Sequence, residues 1–127
     1  MRLLGIDYGT KKLGLALGST DTRLAQPYAV IPADTRAVKA VAAVCRREAV
    51  EKIVIGRSID YNRTTNPADK AAAAFGRKLA EVAGLPIAWI DETLTTKAAE
   101  RIAGRDKQTD ARAAALILDN FLHQAHD

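Results

Sequence analysis

Histidine and cysteine are scarce in this 127-residue sequence, which has two histidines and one cysteine. A single cysteine cannot form an internal disulfide, and this scarcity is typical of a cytoplasmic protein. Both histidines, His123 and His126, lie at the end of the sequence, where frayed and solvated residues are usual. No cysteine or histidine therefore stands where a catalytic nucleophile or its base would be expected.

Long apolar runs are also missing. None approaches the roughly 20 residues of a membrane helix, and the apolar start Leu3–Ile6 meets Asp7 too early for a signal peptide. Hydrophobic residues make up 48% of the sequence, enough for one core, so we predict a single cytoplasmic domain over residues 1–127. The net charge of +4 modestly favours a polyanionic partner, although many soluble domains with such a charge bind none.

The first third of the sequence predicts a hairpin of strands. Arg2–Asp7 and Leu13–Leu17 are short apolar runs, and Tyr8–Lys11 supplies the bend between them. A weaker extended segment, Tyr28–Ile31, is predicted as a third strand, and the prolines on either side of it favour a short or edge strand.

After the predicted third strand, the spacing of the apolar residues changes to that of a helix. Apolar residues at that spacing predict a helix from Asp34 to about Glu51, with Cys45 buried on its apolar stripe as a structural thiol. That stripe consists of Val38, Val41, Ala42, Cys45 and Ala49. The β-branched run Lys52–Gly56 then predicts a buried strand, and the polar stretch Arg57–Asn66 predicts a loop.

The rest of the sequence alternates helices with one more strand. Asn66 and Pro67 predict the start of a helix that ends at Gly84, with an apolar face made by Ala68, Ala72, Phe75, Leu79 and Val82. Leu85–Asp91 is predicted to be a buried strand with Trp89 in the core. Further helices are predicted over Thr95–Ala103 and Asp110–His123. This order predicts an α/β fold, in which an antiparallel hairpin portion joins a parallel portion and helices cover both faces of a mixed sheet.

Acidic residues stand at the ends of the predicted central elements. Asp7 ends the first strand, Asp91 and Glu92 end the last strand, and Asp110 begins the last helix. If the first strand is central, the carboxyl ends of the parallel strands share one edge, where α/β sites form. Carboxylates gathered there would repel one another unless a cation lay between them, and an all-oxygen ligand set suits Mg²⁺ or Mn²⁺. Two ions about 4 Å apart can assist hydrolysis of a phosphodiester.

Helix and strand geometry restrict which acids can share one site. Asp110 and Asp119 point to roughly opposite sides of the last helix, so Asp119 is interpreted as a solvated surface acid. Asp110 lies at the helix start, where the dipole favours a carboxylate, and it could also serve as the N-cap. Asp91 and Glu92 face opposite ways on a strand, so one of them is expected to reach the metal.

Three motifs in register resemble a known family. Asp7-Tyr8-Gly9-Thr10-Lys11 with Gly14, the segment Asp91–Thr96, and the segment Asp110–Leu118 are similar to the opening, acidic and terminal-helix motifs of the YqgF family. That family is described both as Holliday-junction resolvases and as pre-16S rRNA nucleases. The sequence departs from the family motifs in two places: Arg57-Ser58 stands where the family has Leu-Pro, and Thr93 stands where it has Arg. Neither departure removes a metal ligand, and both concern the residues expected to hold substrate phosphates.

The resemblance implies a ribonuclease H-like nuclease with Asp7, Glu92 and Asp110 as the catalytic, metal-binding acids. It favours Glu92 over Asp91 as the ligand. The first expected substrate is the 5′ region of precursor 16S rRNA, in ribosome biogenesis. The second is a four-way DNA junction, in recombination and repair, and a junction resolvase should be a two-fold dimer. The sequence leaves a monomer and a homodimer both open.

Basic and polar residues flank each of the acids. The residues expected to contact nucleic acid are Gly9, Thr10, Lys11, Lys12, Arg57, Arg63, Arg105, Lys107 and Arg112. For any single one of these side chains, an ordinary solvated charge is nearly as good an interpretation. Two other functions compete: an ATPase of the actin-like or sugar-kinase type, which needs two lobes, and a nucleic-acid-binding module without catalysis.

Replacing Arg57 and Arg63 by alanine tests the expected substrate contacts. Since each lysine or arginine that neutralises a phosphate releases counterions, the double variant should show a flatter salt dependence of nucleic-acid binding. Fluorescence titrations at several salt concentrations measure this slope, and an unchanged slope would contradict the assignment.

Overall fold

A computed structural model describes residues 1–9, 11–58, 67–92 and 109–123, and for residues 57, 58, 67–69, 91, 92, 109 and 110 it describes the backbone alone. Within these ranges the strands are β1 (Arg2–Tyr8), β2 (Lys12–Ser19), β3 (Leu24–Pro32), β4 (Lys52–Ser58) and β5 (Ile87–Glu92). The helices are α1 (Ala37–Arg47), α2 (Pro67–Ala83) and α3 (Thr109–His123). The predicted helix over 95–103 lies outside the described residues.

The strands form one mixed sheet in the order β3-β2-β1-β4-β5. β1 pairs antiparallel with β2, and β2 pairs antiparallel with β3. On its other side β1 pairs parallel with β4, which in turn pairs parallel with β5. The predicted mixed α/β sheet is therefore confirmed, with β1 at its centre.

Side chains of β1 alternate between two cores, because successive strand residues point to opposite faces of a sheet. Leu4 and Ile6 pack in the core that contains α1 and α2 residues such as Val41 and Leu79. Leu3 packs in the other core, which contains the α3 residues Ala114, Ile117, Leu118 and Leu122. Helices thus cover both faces, and the odd-numbered residues of β1 belong to the α3 face.

The third strand is longer than predicted. β3 runs from Leu24 to Pro32 and includes both prolines that were expected to bound it. It lies at the edge of the sheet, as predicted, so the missing N–H of a proline need not cost a ladder hydrogen bond. The register shifts beside Pro27, where Leu15 pairs with Ala29 but Ala16 pairs with Pro27, leaving Tyr28 as the extra residue of a β-bulge.

Strands β4 and β5 reach further than expected at their carboxyl ends. β4 includes Arg57 and Ser58, which were assigned to a loop, and β5 includes Glu92. The ladder pairs Arg57 with Asp91 and Ser58 with Glu92. The two strands thus stay paired through polar residues, which the apolar pattern of the sequence does not mark as strand. Residues 59–66 of the predicted loop lie outside the described residues.

Helix α1 is shorter than predicted at both ends. At its start, the Asp34 carboxylate accepts a hydrogen bond from the Arg36 N–H at 2.8 Å, which forms a turn before the helix. At its end, Ala49 has a φ of 55°. The Val50 N–H donates to the Cys45 carbonyl at 2.9 Å and the Ala49 N–H to the Arg46 carbonyl at 3.4 Å. This is a Schellman motif with alanine at the left-handed position that glycine usually occupies.

The thiol on α1 is buried, as predicted. Cys45 lies in the core against the sheet, and burial raises its pKa to about 11. The neutral thiol is therefore the form present near neutral pH, which is the behaviour of a structural cysteine.

Trp89 was wrongly assigned to the core, and Val82, which was placed on the apolar face of α2, is also exposed. Trp89 is 40% exposed and Val82 is 45% exposed. Trp89 lies on the edge strand β5, where its ring packs over Gly76 of α2 and leaves its outer part in solvent. Edge position, which the local pattern does not encode, explains this error. The predicted start and end of α2 are confirmed, with Pro67 as its first residue and Gly84 just beyond its end at a φ of 68°.

None of the helices in the described ranges combines the length and the apolar character needed to cross a membrane.

Replacing Ala49 by glycine should stabilise the protein. Glycine adopts a positive φ without the clash of a Cβ, so we expect the free energy of unfolding to rise by about 1 kcal/mol. Urea denaturation measures this change. The same replacement at Ala40, exposed within α1, is the control and should lower stability by roughly 0.5–1 kcal/mol. Equal effects at both positions would contradict the assignment of the cap.

Candidate functional site

Asp7 lies near the carboxyl end of the central strand and is partly buried. It pairs with Gly14 of β2 on one side and with Gly56 of β4 on the other. Its position is odd-numbered, so it belongs to the α3 face of the sheet together with Leu3 and Gly5. Because glycine has no side chain, the positions paired with Asp7 on the two neighbouring strands place no side chain beside it. A glycine within a strand often marks such a close approach of a ligand.

Helix α3 brings its N-terminus to the same edge. Ala111, in its first turn, lines a groove together with Lys12, the first residue of β2. The ring centroid of Phe121, in the last turn of the helix, lies 5.3 Å from the Nζ of Lys52, the first residue of β4. The helix therefore runs antiparallel to β1 and β4. Asp110, its second residue, starts at the edge where Asp7 ends its strand.

Close packing fixes the height of α3 above the sheet. A Cβ added at Gly5 would lie 2.9 Å from the Cβ of Leu118 and 3.0 Å from the carbonyl oxygen of Ala114. A Cβ added at Gly18 of β2 would lie 2.9 Å from the Cδ2 of Leu118. The missing side chains let α3 lie directly on β1 and β2, with its backbone against Gly5, which places its first turn close to the end of β1.

Strand β5 supplies the third predicted acid. Ile90 pairs with Gly56 and packs in the α3 core, so the alternation assigns position 92 to the α3 face and position 91 to the opposite face. Glu92 is thus two interstrand spacings and two residues along the strand from Asp7, about 12 Å between Cα positions in a regular sheet. The backbone positions of Asp7, Glu92 and Asp110 all lie at the carboxyl edge of the parallel strands.

The chemistry of this edge fits a divalent metal. The side chains of Glu92 and Asp110 are not among those that the structure describes. Among the side chains that it does describe, no three His, Cys, Asp or Glu residues form a group that could hold a metal ion. Asp7 offers a carboxylate between two glycines of the neighbouring strands, and the other two candidate ligands are also carboxylates. Oxygen donors of this kind suit Mg²⁺ or Mn²⁺.

The predicted nucleic-acid contacts fall into two groups. Gly9, Lys11 and Lys12 lie in and next to the bend of the β1–β2 hairpin, and both lysines are exposed. A Cβ at Gly9 would lie 2.6 Å from the carbonyl oxygen of Lys12, so this tight bend needs glycine. Arg112 is exposed on the first turn of α3. Of the others, Arg57 is placed by its backbone in β4, and Thr10, Arg63, Arg105 and Lys107 lie outside the described residues.

The remaining acid of α3 lies elsewhere. Asp119 is half-exposed, and its Oδ1 is 3.3 Å from the Nδ1 of His123. His123 is the last residue of the helix rather than part of a frayed end. The interpretation of Asp119 as a surface acid, remote from the start of the helix, agrees with this position.

Sequence reasoning missed residues that shape the edge without carrying a charge. Gly56 was predicted only as the end of a strand, and Gln26, Pro27 and Val30 were not predicted to line a groove. A glycine at the end of a buried strand next to a polar segment is a signal that could have identified Gly56. The groove residues come from an edge strand whose extent was underestimated.

Replacing Gly5 by alanine should destabilise the protein. The added methyl group overlaps the backbone and side chain of α3, so we expect a loss of about 1–3 kcal/mol in the free energy of unfolding. Urea denaturation measures this loss. A variant as stable as the original chain would show that α3 does not rest on Gly5.

The sequence is similar to those of known proteins over nearly its whole length. Residues 1–124 match the model of the RuvX family, which is described as a Holliday junction resolvase. A Cupriavidus necator protein is 35% identical over 124 residues, covering 96% of this chain and 88% of its own length. A Streptococcus sanguinis protein is 35% identical over 135 residues, covering 96% of this chain and 97% of its own. Both carry the provisional name of pre-16S rRNA nuclease.

Solved structures confirm the expected ribonuclease H-like fold. Thermus thermophilus RuvC superposes with a TM-score of 0.66 at 19% identity and covers 97% of this chain and 95% of its own. The fowlpox virus Holliday junction resolvase has a TM-score of 0.58 at 13% identity and covers 96% of this chain and 98% of its own. This chain therefore belongs to the RuvX (YqgF) family of nucleases.

Proposed function

We propose that this protein is a divalent-metal-dependent nuclease that hydrolyses phosphodiester bonds and trims the 5′ region of precursor 16S rRNA. The observation that carries the proposal is the position of Asp7. It ends the central strand between two glycines, at the edge where β5 ends and α3 begins. The relatives that share 35% of its sequence carry a name that points to the same substrate.

The proposed site consists of Asp7, Glu92 and Asp110. Two bound Mg²⁺ or Mn²⁺ ions would activate the attacking water and stabilise the leaving oxygen. The carboxylates hold the negative charge that such ions require, and the two residues paired with Asp7, Gly14 and Gly56, carry no side chain. The N-terminus of α3 carries a partial positive charge, which favours the ionised form of Asp110.

Basic residues near this edge would hold the substrate. Lys11 and Lys12 are exposed at the hairpin bend, and Arg112 is exposed on the first turn of α3. We assign the same role to Gly9, Thr10, Arg57, Arg63, Arg105 and Lys107. The chain would act as one domain over residues 1–127 in the cytoplasm, as a monomer or a homodimer.

Resolution of four-way DNA junctions is the second candidate. It is favoured by the description of the RuvX family model. Because a resolvase must nick two symmetric strands, this function requires a two-fold dimer with two sites. Processing of rRNA requires only one site, so cleavage by a monomer would exclude the junction resolvase.

A cleavage assay tests the proposed function. We expect the protein to cut labelled precursor 16S rRNA with Mg²⁺ or Mn²⁺, not to cut it with EDTA, and to prefer it to a four-way DNA junction. Asp7→Asn should lower the rate by about 1000-fold or more, since losing a metal ligand removes several kcal/mol of stabilisation from the transition state.

Asp119→Asn provides the matched control, because this acid lies on α3 but remote from the edge. It should cut at a rate close to that of the original chain. Preferential cutting of the junction would favour the resolvase. Equal activity of the Asp7→Asn variant, or no cutting of either substrate, would contradict a catalytic role for Asp7.

A further inference from the structure

The two central parallel strands separate just beyond Asp7. The ladder between β1 and β4 ends with the pair of Asp7 and Gly56. Beyond this pair β1 continues to Tyr8, which pairs with β2, and β4 continues to Ser58, which pairs with β5. Among the described residues, no ladder pair joins β1 to β4 past Asp7. The sheet therefore divides at this level into one half made by β1, β2 and β3 and another made by β4 and β5.

The two halves carry different candidate metal ligands. Asp7 belongs to β1, and Glu92 is paired with Ser58 at the end of the β4–β5 half. The division thus begins at the level where these two acids would have to share metal ions. A displacement of about 1 Å in a reacting group can lower a rate about 100-fold, so the proposed chemistry depends on the spacing between the halves.

An aromatic contact holds the end of β1 on the face opposite to the acids. Tyr8 packs against the core on the α1–α2 side of the sheet, as its even position requires. Its ring centroid lies 5.2 Å from that of Phe75 in α2, and the two ring planes are inclined by 45°. This distance lies within the range of favourable aromatic pairs. Tyr8 directly follows Asp7, so the position of its ring restrains the backbone of Asp7.

The helix that carries Phe75 rests on the other half of the sheet. A Cβ added at Gly76, the next residue, would lie 2.6 Å from the Cζ2 of Trp89 in β5 and 3.5 Å from the Cδ1 of Ile55 in β4. The missing side chain lets α2 lie directly on these two strands. Phe75 therefore extends from a helix that packs on the β4–β5 half and contacts the last residue of β1 in the other half.

We propose that Tyr8 and Phe75 are positioning residues of the metal site, whose ring contact sets the spacing between Asp7 on β1 and Glu92 on β5. This inference rests on the proposed function for the role of the two acids. Both rings lie on the opposite face of the sheet and act through the strand ends that carry the carboxylates. The site then depends on an apolar contact as well as on its acids.

Mn²⁺ binding, followed by electron paramagnetic resonance, tests this spacing apart from cleavage. Tyr8→Leu and Phe75→Leu each keep an apolar side chain but remove the ring contact. We expect each to raise the Kd of Mn²⁺ about 10-fold, as is usual when the support of a metal ligand is lost. The double variant should bind about as weakly as the single variants, because both changes remove the same contact. Tyr8→Phe keeps the ring and should bind like the original chain.

Cleavage of precursor rRNA with Mg²⁺ gives the second readout. Displaced ligands impair the transition state more than substrate binding, so the two leucine variants should lower kcat about 100-fold and leave KM nearly unchanged. Tyr8→Phe should restore kcat.

Ile87→Ala is the matched control for loss of packing. Ile87 packs against the same core but begins β5, at the opposite end of the strand from Glu92. It should lower the melting temperature and leave the Kd of Mn²⁺ unchanged. Trp89 is the single tryptophan, so an unchanged emission maximum shows that α2 still rests on β5. If Tyr8→Leu does not fold by this criterion, Phe75→Leu provides the test.

Unchanged Mn²⁺ binding in the folded leucine variants, additive losses in the double variant, or equal weakening by Ile87→Ala would overturn the positioning role. The two proposals can fail separately. Cleavage by the original chain together with contact-independent Mn²⁺ binding would leave the nuclease and remove the positioning role. Contact-dependent Mn²⁺ binding without any cleavage would do the reverse, and an original chain that binds no Mn²⁺ would overturn both.

Discussion

Helix α3 rests on strands β1 and β2 at two glycines, and this contact determines where the acidic residues can meet. Gly5 and Gly18 allow Leu118 and the Ala114 carbonyl to approach to distances that a Cβ would not tolerate. The helix also runs antiparallel to β1, so its first turn lies at the edge where β1, β4 and β5 end. A side chain at either glycine would lift the helix, and Asp110 would move with it.

The same arrangement accounts for the electrostatics of the edge. The parallel strands direct their carboxyl ends toward it, and an acid that follows a buried strand is carried there by the strand itself. Two further carboxylates at this edge would raise the free energy of the folded protein by repulsion. The partial positive charge at the start of α3 and the basic residues of the hairpin bend offset part of this repulsion. A bound divalent cation offsets much more, so the geometry of the fold and the proposed chemistry support each other.

Much of this fold follows from local patterns. The apolar runs of β1, β2 and β4 and the helical spacing of α1 and α2 are strong signals, because each element buries most of one face. Elements that depend on their neighbours were harder to predict. Trp89 was assigned to the core because the pattern of β5 resembles that of a buried strand, whereas its edge position leaves it 40% exposed. The prolines of β3 suggested a short strand, although an edge strand with a bulge accommodates them.

Some features of the candidate site could also be predicted from the sequence, and others depend on neighbouring elements. Asp7 and Asp110 were identified from their places at the ends of predicted elements, and those elements have the predicted order. The choice between Asp91 and Glu92 came from a family resemblance. The register of β4 and β5 agrees with it, since position 92 shares the face of Ile90. The groove beside β3 could not be predicted, because it depends on the packing of α3 over an edge strand far from it in the sequence.

Direct measurement of Mn²⁺ binding tests the central claim that three carboxylates meet at this edge. Electron paramagnetic resonance of free Mn²⁺ gives the number of bound ions and their affinity without any nucleic acid. If Asp7, Glu92 and Asp110 share a site, then changing each to its amide should weaken binding, while Asp119→Asn should bind like the original chain. Retained binding in all three amide variants would contradict the account.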